Sequence, residues 1–455
     1  MSYNFHFANR EQAFLLPPAV TDWLSEDHLA WFILDAVEQM DMTPFLARYR
    51  QDGAGATAFD PAMMVALLLY SYCHGERSSR QIERLCETDI AFRVITGNLQ
   101  PDHTTIARFR RNHAPAIEGL FVDILRLCKE AGLVKMGFVA LDGSKIKANA
   151  ALDANRTHNG LVEEVKRMLD EAEAKDAEED GLHGARRGDE PPAALRGREN
   201  RLARLKECRE RLEREAAEKA AAQAKKLATR QAEEEASGQK KRGRKPAPPE
   251  SAPAVEAKAN VTDPESRIMK TRNGFIQGYN AQAAVNAEQI VVAAEVTQEA
   301  NDVRQLKPLM KAIQATTAAA GIDERVGVCA ADAGYWSAAN GKKDGRVKTE
   351  YLLSTTKDWK QRKKLREEGA PVGRIPMNAT WQDLMERRLR TKRGRELYRK
   401  RSTTVEPVFG QIKDARGIDR FLLRGLAGSR VEWKLICGTH NLLKLWRKNR
   451  AYSTN

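Results

Sequence analysis

The segment from Thr157 to Val261 constrains how the rest of this 455-residue chain can fold. It is rich in Glu, Lys, Arg and Ala, is nearly free of aromatic side chains, and carries apolar residues at helical spacing only sparsely. The flanking residues have a different pattern, so we interpret 158–260 as an insertion that interrupts one fold. Because single cores stop growing near ~250 to 300 residues, a chain of this length is expected to form two or three domains.

The insertion is predicted to be helical at first and disordered at its end. Opposite charges three and four residues apart support solvated helices at Leu161 to Ala174 and at Arg198 to Glu235. Ser237 to Ala254 combine Gly and Pro with basic residues and are predicted to be disordered. The basic run from Lys240 to Pro246 is similar to the minor-groove hook of architectural proteins, but basic linkers often have no specific partner.

Residues 1–132 are predicted to form a helical domain. Apolar residues at spacings of three and four indicate helices at Glu26 to Gln39, Pro61 to His74, Ser79 to Asp89, Thr104 to His113 and Ile117 to Glu130.

Within that domain, 78–113 resembles a helix-turn-helix, because two amphipathic helices flank a turn that contains Gly97, Asn98 and Pro101. The second helix presents short polar and basic groups suited to DNA backbone and base edges, namely Thr104, Thr105, Arg108 and Arg111. A plain helical packing arrangement fits the pattern nearly as well.

From Phe138 onward the pattern becomes that of a mixed α/β domain. The sequence FVALDGSKIKANA begins with a short apolar run, reaches an Asp-Gly pair and then alternates, which predicts a strand and a hairpin turn. Further strands are predicted at Gly278 to Val285, Gln289 to Val296, Val326 to Ala331 and Tyr351 to Ser354, with a helix at Asp302 to Ala319. Basic helical segments follow at Trp381 to Lys400, Val405 to Asp414 and Val431 to Arg447.

Charge favours a polyanionic partner. Lys and Arg outnumber Asp and Glu by 76 to 62, which gives a net charge of +14 and a pI near 9.4. Nucleic acid is the leading candidate, although ribosome-associated, membrane-surface and merely soluble proteins can also be basic.

Cysteine usage and hydropathy indicate a protein of the reducing cytoplasm. The six cysteines are scattered, with no CxxC pair, which argues against both a structural zinc site and a disulfide framework. No secretion signal is evident at the N-terminus. The apolar run from Ala62 to Tyr70 is too short to span a bilayer, so no membrane partner is expected.

Three acids stand where metal chemistry is expected. Asp142 and Asp332 each follow a predicted strand, and Glu406 stands just before Pro407, which is typical of the first turn of a helix. Two Asp and one Glu can hold Mg²⁺ ions that stabilise both the attacking and the leaving oxygen of a phosphodiester. Taken singly, each acid also has a purely structural explanation: Asp142 as a turn former, Asp332 as a loop residue and Glu406 as a helix-start residue.

Four blocks of sequence together resemble the DDE transposases of bacterial insertion sequences, which have an RNase H-like catalytic core. They are FVALDGSKIKANA around Asp142, GYNAQAAVN with the later NDVRQLKP, ADAGYWS around Asp332, and YRKRSTTVEPVFGQIK. The last contains the family's Tyr, Arg, Glu, Lys signature as Tyr398, Arg401, Glu406 and Lys413. Four residues separate Arg401 from Glu406 here, whereas the commonest form has three.

The resemblance implies that Asp142, Asp332 and Glu406 are catalytic and bind two Mg²⁺ ions, for which Mn²⁺ can substitute. It also implies that Tyr398, Arg401 and Lys413 contact DNA; a solvated basic helix is the alternative. Lys413 follows Glu406 by close to two helical turns, so both are expected to face the same groove.

Two further DNA contacts are predicted near these acids. Nine Lys or Arg residues against one Glu between Arg387 and Arg401 would bind phosphates. Trp336 and Tyr335 would stack on an unpaired base beside the site, unless at least one of them packs under the sheet.

The strand and helix pattern predicts an α/β domain formed by 133–157 and 261–450, and the resemblance implies that its fold is RNase H-like, a mixed five-stranded sheet with flanking helices. With it come the all-α N-terminal domain and the helical and disordered insertion. The predicted function is binding of terminal inverted repeats, DNA cleavage and strand transfer by a homodimer or higher assembly on double-stranded DNA, in the bacterial cytoplasm at the nucleoid. The alternatives are an RNase H-like nuclease that does not join strands and a domesticated DNA-binding protein that does not cut.

Overall fold

The computed structural model describes residues 19–52, 57–183, 193–240, 243, 245–341, 349–370 and 372–453. After a short 3₁₀ turn, Val20–Trp23, its N-terminal region consists of helices α1 (Leu29–Glu38), α2 (Thr43–Leu46), α3 (Pro61–Cys73), α4 (Ser79–Thr88), α5 (Ile90–Thr96), α6 (His103–Asn112) and α7 (Ala114–Glu130). The predicted helices of this region are confirmed. Helices α2 and α5 were not predicted.

Helix α5 is short, and its ends explain why periodicity did not reveal it. Asp89 caps its first turn by accepting hydrogen bonds from the amides of Ala91 and Phe92. Gly97, with φ +57°, ends it in the left-handed conformation that glycine adopts at little cost. Seven residues between two such caps are too few to show a clear helical period.

Strands and helices are mixed along the rest of the chain. The strands are β1 (Phe138–Lys147), β2 (Asn155–Thr157), β3 (Lys258–Asn260), β4 (Arg267–Thr271), β5 (Gly274–Asn286), β6 (Val291–Thr297), β7 (Val328–Ala331) and β8 (Glu350–Leu353). The helices are α8 (His158–His183), α9 (Ala193–Ser237), α10 (Leu306–Ala319), α11 (Ala338–Gly341), α12 (Trp359–Glu367), α13 (Trp381–Arg390), α14 (Lys392–Gly410) and α15 (Gly425–Ser453).

The main sheet is mixed and has six strands, one more than predicted. Its order is β4-β5-β1-β7-β8, with β6 also paired to β5. On one side of β1 the pairing is antiparallel, and on the other side β1, β7 and β8 run parallel. The sixth strand, β4, pairs with the first residues of the long β5.

The predicted hairpin at Asp142 and Gly143 is wrong, because β1 continues straight through both residues. Asp142 pairs with Ala283 of β5 and Gly143 with Gln282, and the antiparallel ladder continues as far as Lys147. An Asp-Gly pair favours a turn only locally. Here the hydrogen bonds to β5 hold the chain extended.

Helices cover both faces of the sheet. Successive strand residues point to opposite faces, and Asp142 faces α14 while Gly143 faces the segment that leads into α10. The long α15 packs against β6 and also against α3 and α7 of the N-terminal region. Its Trp433 is fully buried and donates its indole N–H to the Gln282 carbonyl at 2.9 Å.

The C-terminal helices differ from the prediction in two places. The segment Trp381 to Lys400 is not one helix, because Thr391 ends α13 and caps α14 by accepting a hydrogen bond from the Gly394 amide. Glu406 does not lie in the first turn of a helix but well inside α14, which continues through Pro407.

Helix α14 tolerates its internal proline because the carbonyl that loses a partner gains another. Pro407 has no N–H to donate to the Thr403 carbonyl four residues earlier. That carbonyl instead accepts a hydrogen bond from the Gln289 side chain at 3.0 Å. Gln289 stands at the β5–β6 turn with φ +62°. Its own carbonyl faces His440 Nε2 at 3.0 Å, and its side-chain oxygen accepts a hydrogen bond from Lys444.

The inserted residues contain the two helices predicted for them, α8 and α9. They pack on each other around a small apolar cluster separate from the main core: Leu161, Val165, Leu205, Cys208, Leu212 and Ala259. In the predicted basic hook, Lys241, Arg242 and Arg244 lie outside the described residues. The other residues of 238–254 contain no helix or strand, and their disorder stays a prediction.

Two sequence-based exclusions can be compared with the structure. All six cysteines are free and buried, so neither a disulfide nor an exposed thiol is present. Within the described ranges, no helix is long and apolar enough to cross a membrane.

One buried ion pair joins the N-terminal region to α15. The Arg77 guanidinium donates to Glu432 at 2.6 Å and to the Arg420 carbonyl at 2.7 Å. Glu432 also accepts hydrogen bonds from the amides of Leu422 and Leu423. Burial raises the pKa of Glu432, and these donors oppose that effect.

We predict that Glu432→Gln lowers the free energy of unfolding by about 3 to 5 kcal/mol, because it leaves the buried Arg77 charge without a negative charge beside it. The matched control is Glu295→Gln, since Glu295 pairs with Arg430 where both side chains are about one-third exposed. That change should cost less than about 1 kcal/mol. Urea denaturation measures both variants, and equal losses would contradict the prediction.

The buried His440 should make the stability of the folded protein depend on pH. Burial lowers its pKa to about 3, so the folded protein keeps the ring neutral while the unfolded chain takes up a proton below about pH 6.5. The stability of the wild type should therefore be highest above pH 6.5 and fall below it.

His440→Gln removes this titration and keeps a hydrogen-bond donor. The stability difference between wild type and variant should shrink by about 1.4 kcal/mol per pH unit from pH 6 to pH 4. Denaturation curves across that range measure the difference. A difference that does not change with pH would show that the ring is not buried as a neutral group.

Candidate active site

Asp142 and Asp332 are neighbours at one edge of the sheet. Leu141 of β1 pairs with Ala331 of β7, and the two strands run parallel. Each acid is the next residue along its strand, so both side chains emerge where β7 ends and β1 continues. The backbone holds each acid: the Gly143 amide donates to Asp142 at 2.9 Å, and the Gly334 amide donates to Asp332 at 2.8 Å.

Arg401 links Glu406 to this pair. One guanidinium nitrogen lies 3.4 Å from Asp142 and another lies 3.1 Å from Glu406. The Arg401 side chain is 15% exposed, whereas Glu406 is 57% exposed. The predicted DNA contact Arg401 is therefore placed between two of the predicted catalytic acids, and Glu406 opens to solvent.

The surroundings of Asp142 disfavour its charge. Burial raises the pKa of Asp142 to about 6, the nearby Arg401 opposes that rise, and the charges of Asp332 and Asp302 add to it. The acids at this edge thus repel one another in a poorly solvated place. A cation between them would relieve that repulsion.

Asp302 is a residue of this site that sequence reasoning did not assign. It lies just before α10, and one of its oxygens accepts hydrogen bonds from Asn280 and Gln282, both at 2.7 Å. The buried Tyr335 in turn donates its hydroxyl to Gln282. Asn280 and Gln282 belong to GYNAQAAVN and Asp302 to NDVRQLKP, which together form one of the four blocks of similar sequence, but neither segment shows that these side chains meet.

The acids have the chemistry of a hard-cation site. Carboxylate oxygens are the ligands that Mg²⁺ prefers. As arranged here, with Arg401 between Asp142 and Glu406, no three His, Cys, Asp or Glu side chains of the described chain surround a common point closely enough to hold an ion. Ion binding at this site would require Arg401 to release at least one of its two acids.

At least one of the two aromatic residues after Asp332 packs under the sheet, which was the alternative to base stacking by both. Tyr335 is fully buried, and desolvation together with the charges of Asp302, Asp142 and Asp332 raises its pKa. Tyr335 therefore packs under the acids and does not stack on a base. Trp336 is partly buried against the core and borders Gly341 of α11.

The signature residues Tyr398 and Lys413 lie in different surroundings. Lys413 stands in a π-helical turn, Gln411–Ala415, and donates to the Lys145 carbonyl of β1 at 3.1 Å. Burial lowers its pKa. Tyr398 lines, with Arg401 and Glu406, a cavity of about 550 Å³ between α14, α13 and the residues after β8.

The side of α14 that carries Glu406 continues as a basic row. Residues spaced three and four apart lie on one face of a helix, which places Ser402, Arg399, Arg395 and Lys392 in line with Glu406. Arg399, Arg395 and Lys392 are exposed. Arg395 and Arg399 also line the cavity.

The predicted helix-turn-helix residues do not all have free polar groups. The hydroxyls of Thr104 and Thr105 both donate to Asp102, the residue that caps α6. Arg108 and Arg111 are exposed on α6. Together with Arg80 of α4 they border a shallow cavity.

Two family models match the chain. A transposase domain (DUF772) matches residues 18–112, and a transposase DDE domain matches residues 251–442. Asp302, Asp332 and Glu406 fall within the second range, and Asp142 lies between the two. No curated protein and no solved structure shows significant similarity to the chain. Both matched models describe transposases, one over the helical N-terminal region and one over most of the sheet, and the chain is therefore a DDE-type transposase of an insertion element.

Proposed function

We propose that this transposase binds the terminal inverted repeats of its element and catalyses metal-dependent DNA cleavage and strand transfer through Asp142, Asp332 and Glu406. The observation that carries the proposal is that Asp142 of β1 and Asp332, the residue after β7, lie side by side on adjacent parallel strands, with Glu406 tied to Asp142 through Arg401. Five strands, β6-β5-β1-β7-β8, with helices on both faces, support an RNase H-like core.

The residues at the site suit an in-line attack on phosphorus. Bound Mg²⁺ would stabilise charge on the attacking and the leaving oxygen. Asp142, Asp332 and Glu406 would hold the ions after Arg401 releases Asp142, Glu406 or both. In the first reaction, water attacks a phosphodiester and releases a 3′-hydroxyl. In the second, that hydroxyl attacks a target phosphodiester, so one P–O bond forms as another breaks.

DNA would approach along the exposed face of α14. Arg395, Arg399 and Lys392 form a line that leads to Glu406, and Lys413 lies on the β1 side. Evenly spaced cations of this kind bind successive phosphates and carry no sequence information. We assign recognition of the terminal repeats to the N-terminal region, through Arg108, Arg111 and the neighbouring Arg80.

The reaction also implies partners. Two element ends must be held together for coordinated joining, so we propose a homodimer or a higher assembly on double-stranded DNA. The element's ends and its target lie in the chromosome, which places the activity in the bacterial cytoplasm at the nucleoid.

The first test is cleavage and strand transfer on a labelled fragment that carries the element's ends, in Mg²⁺ and in Mn²⁺. Asp142→Asn, Asp332→Asn and Glu406→Gln should each reduce both reactions by at least about 100-fold, because each variant loses a charged metal ligand. All three should still bind the fragment. Matched controls are Asp323→Asn and Glu396→Gln, which remove exposed acids elsewhere, the second on α14 itself.

Each possible result has a definite meaning. Full activity in any one of the three variants would remove that acid from the site. Cleavage without joining in the wild type would identify a nuclease. Binding without cleavage would identify a protein that recognises the ends but no longer cuts.

A second test concerns the basic row on α14. Arg395→Gln with Arg399→Gln should reduce the slope of log affinity against log salt concentration by roughly 2, because each phosphate contact contributes about 0.9. The control is Lys307→Gln with Lys311→Gln, which removes two exposed charges from α10 on the other face of the sheet. Filter binding at several salt concentrations measures both, and equal slopes in the two double variants would remove α14 from the DNA path.

A further inference from the structure

We infer that Asp302 is a further acid of the metal-binding centre, facing Asp332 across a space that Gly334 keeps open. The inference rests on the proposed function, because it concerns the same ions. It adds a ligand that the Asp, Asp, Glu pattern does not contain.

The first argument is that Asp302 is held in place by its surroundings. Its Oδ1 accepts from Asn280 Nδ2 and Gln282 Nε2, both at 2.7 Å. Gln282 also donates to Asn280 Oδ1 at 3.0 Å and accepts a hydrogen bond from Tyr335. Two buried amide side chains thus fix the Asp302 carboxylate directly, and the buried Tyr335 fixes one of them, Gln282.

The second argument is the orientation of the other oxygen. Asp302 Oδ2 has no hydrogen-bond partner among the residues that the structure describes, although Oδ1 has two. A Cβ added at Gly334 would lie 3.0 Å from Asp302 Oδ2 and 2.9 Å from Asp332 Oδ1. The two carboxylates therefore border the same small space, and each turns an oxygen toward it.

The third argument is that both glycines are required by this arrangement. Neither Gly143 nor Gly334 has a positive φ, so the backbone does not explain them. A Cβ at Gly143 would lie 2.7 Å from Asp302 Oδ1 and 2.2 Å from Gln282 Nε2. The glycine next to Asp142 and the glycine two residues after Asp332 both make room for Asp302.

Two negative oxygens that face one small space repel each other unless a cation lies between them or near them. The amides of Asn280 and Gln282 offset the charge on Oδ1 only. A divalent cation is the chemical species that would offset the charges on Asp302 Oδ2 and Asp332 Oδ1 together, and carboxylate oxygens suit Mg²⁺ and Mn²⁺.

The test measures metal binding to the full chain without DNA, by the electron paramagnetic resonance signal of free Mn²⁺ during titration. Asp302→Asn keeps the shape and the acceptor for Asn280 and Gln282 but removes the charge. It should weaken Mn²⁺ binding by about 10-fold or more. Gly334→Ala should also weaken binding, because its methyl group enters the space between the two acids.

Controls separate this inference from the function on which it rests. Glu299→Gln removes a charge three residues away, from a side chain that faces Arg304 and Gln305, and should bind Mn²⁺ as the wild type does. Asp332→Asn should lose binding. Thermal melting of Asp302→Asn should stay within a few degrees of the wild type, which shows that the fold is intact.

If Asp332→Asn loses Mn²⁺ but Asp302→Asn and Gly334→Ala bind it as Glu299→Gln does, Asp302 is not a ligand and the proposed function stands. If the wild type itself binds no Mn²⁺, the metal centre is refuted and this inference falls with it. Weakened binding in both Asp302→Asn and Gly334→Ala, with normal melting, supports the inference.

Discussion

The acids at the edge of the sheet repel one another, and the surrounding structure compensates for that repulsion. Asp142 accepts a hydrogen bond from the Gly143 amide and forms an ion pair with Arg401. Asp332 accepts a hydrogen bond from the Gly334 amide, and Asp302 accepts two from side-chain amides. A carboxylate in a poorly solvated place is stable only when donors or cations surround it. The glycines one and two residues after these acids supply the backbone amides, and the position of α14 on the sheet supplies Arg401.

The parts of the fold that depend on local sequence could be predicted. Helices with clear apolar periodicity, such as α3 and α7, and apolar strands such as β7 were found close to their observed bounds. The predictions failed where a distant segment overrides a local signal. The Asp-Gly pair at Asp142 indicates a turn in isolation, but hydrogen bonds from β5, more than one hundred residues later, hold it extended.

The candidate site shows the same division. Asp142 and Asp332 could be singled out because each follows a run of apolar residues, which is a local feature, although only β7 ends there and β1 continues through Asp142. Asp302 could not, since nothing near it in sequence shows that Asn280 and Gln282 point at it from β5. Glu406 was predicted as a residue of the site, but Pro407 beside it indicated a helix start. Pro407 is tolerated inside the helix because the Gln289 side chain bonds the carbonyl that the proline leaves free, and Gln289 lies more than one hundred residues earlier.

Gln289 also shows how the position of Glu406 is maintained. Its side-chain nitrogen holds the Thr403 carbonyl one turn before Glu406, while its two oxygens are held by His440 and Lys444 of α15. One residue at the β5–β6 turn thus connects the helix that carries an acid of the site to the helix that crosses the N-terminal region. A shift of α15 would therefore move this turn and with it the segment of α14 before Glu406, so the position of Glu406 depends on how α15 packs against α3 and α7.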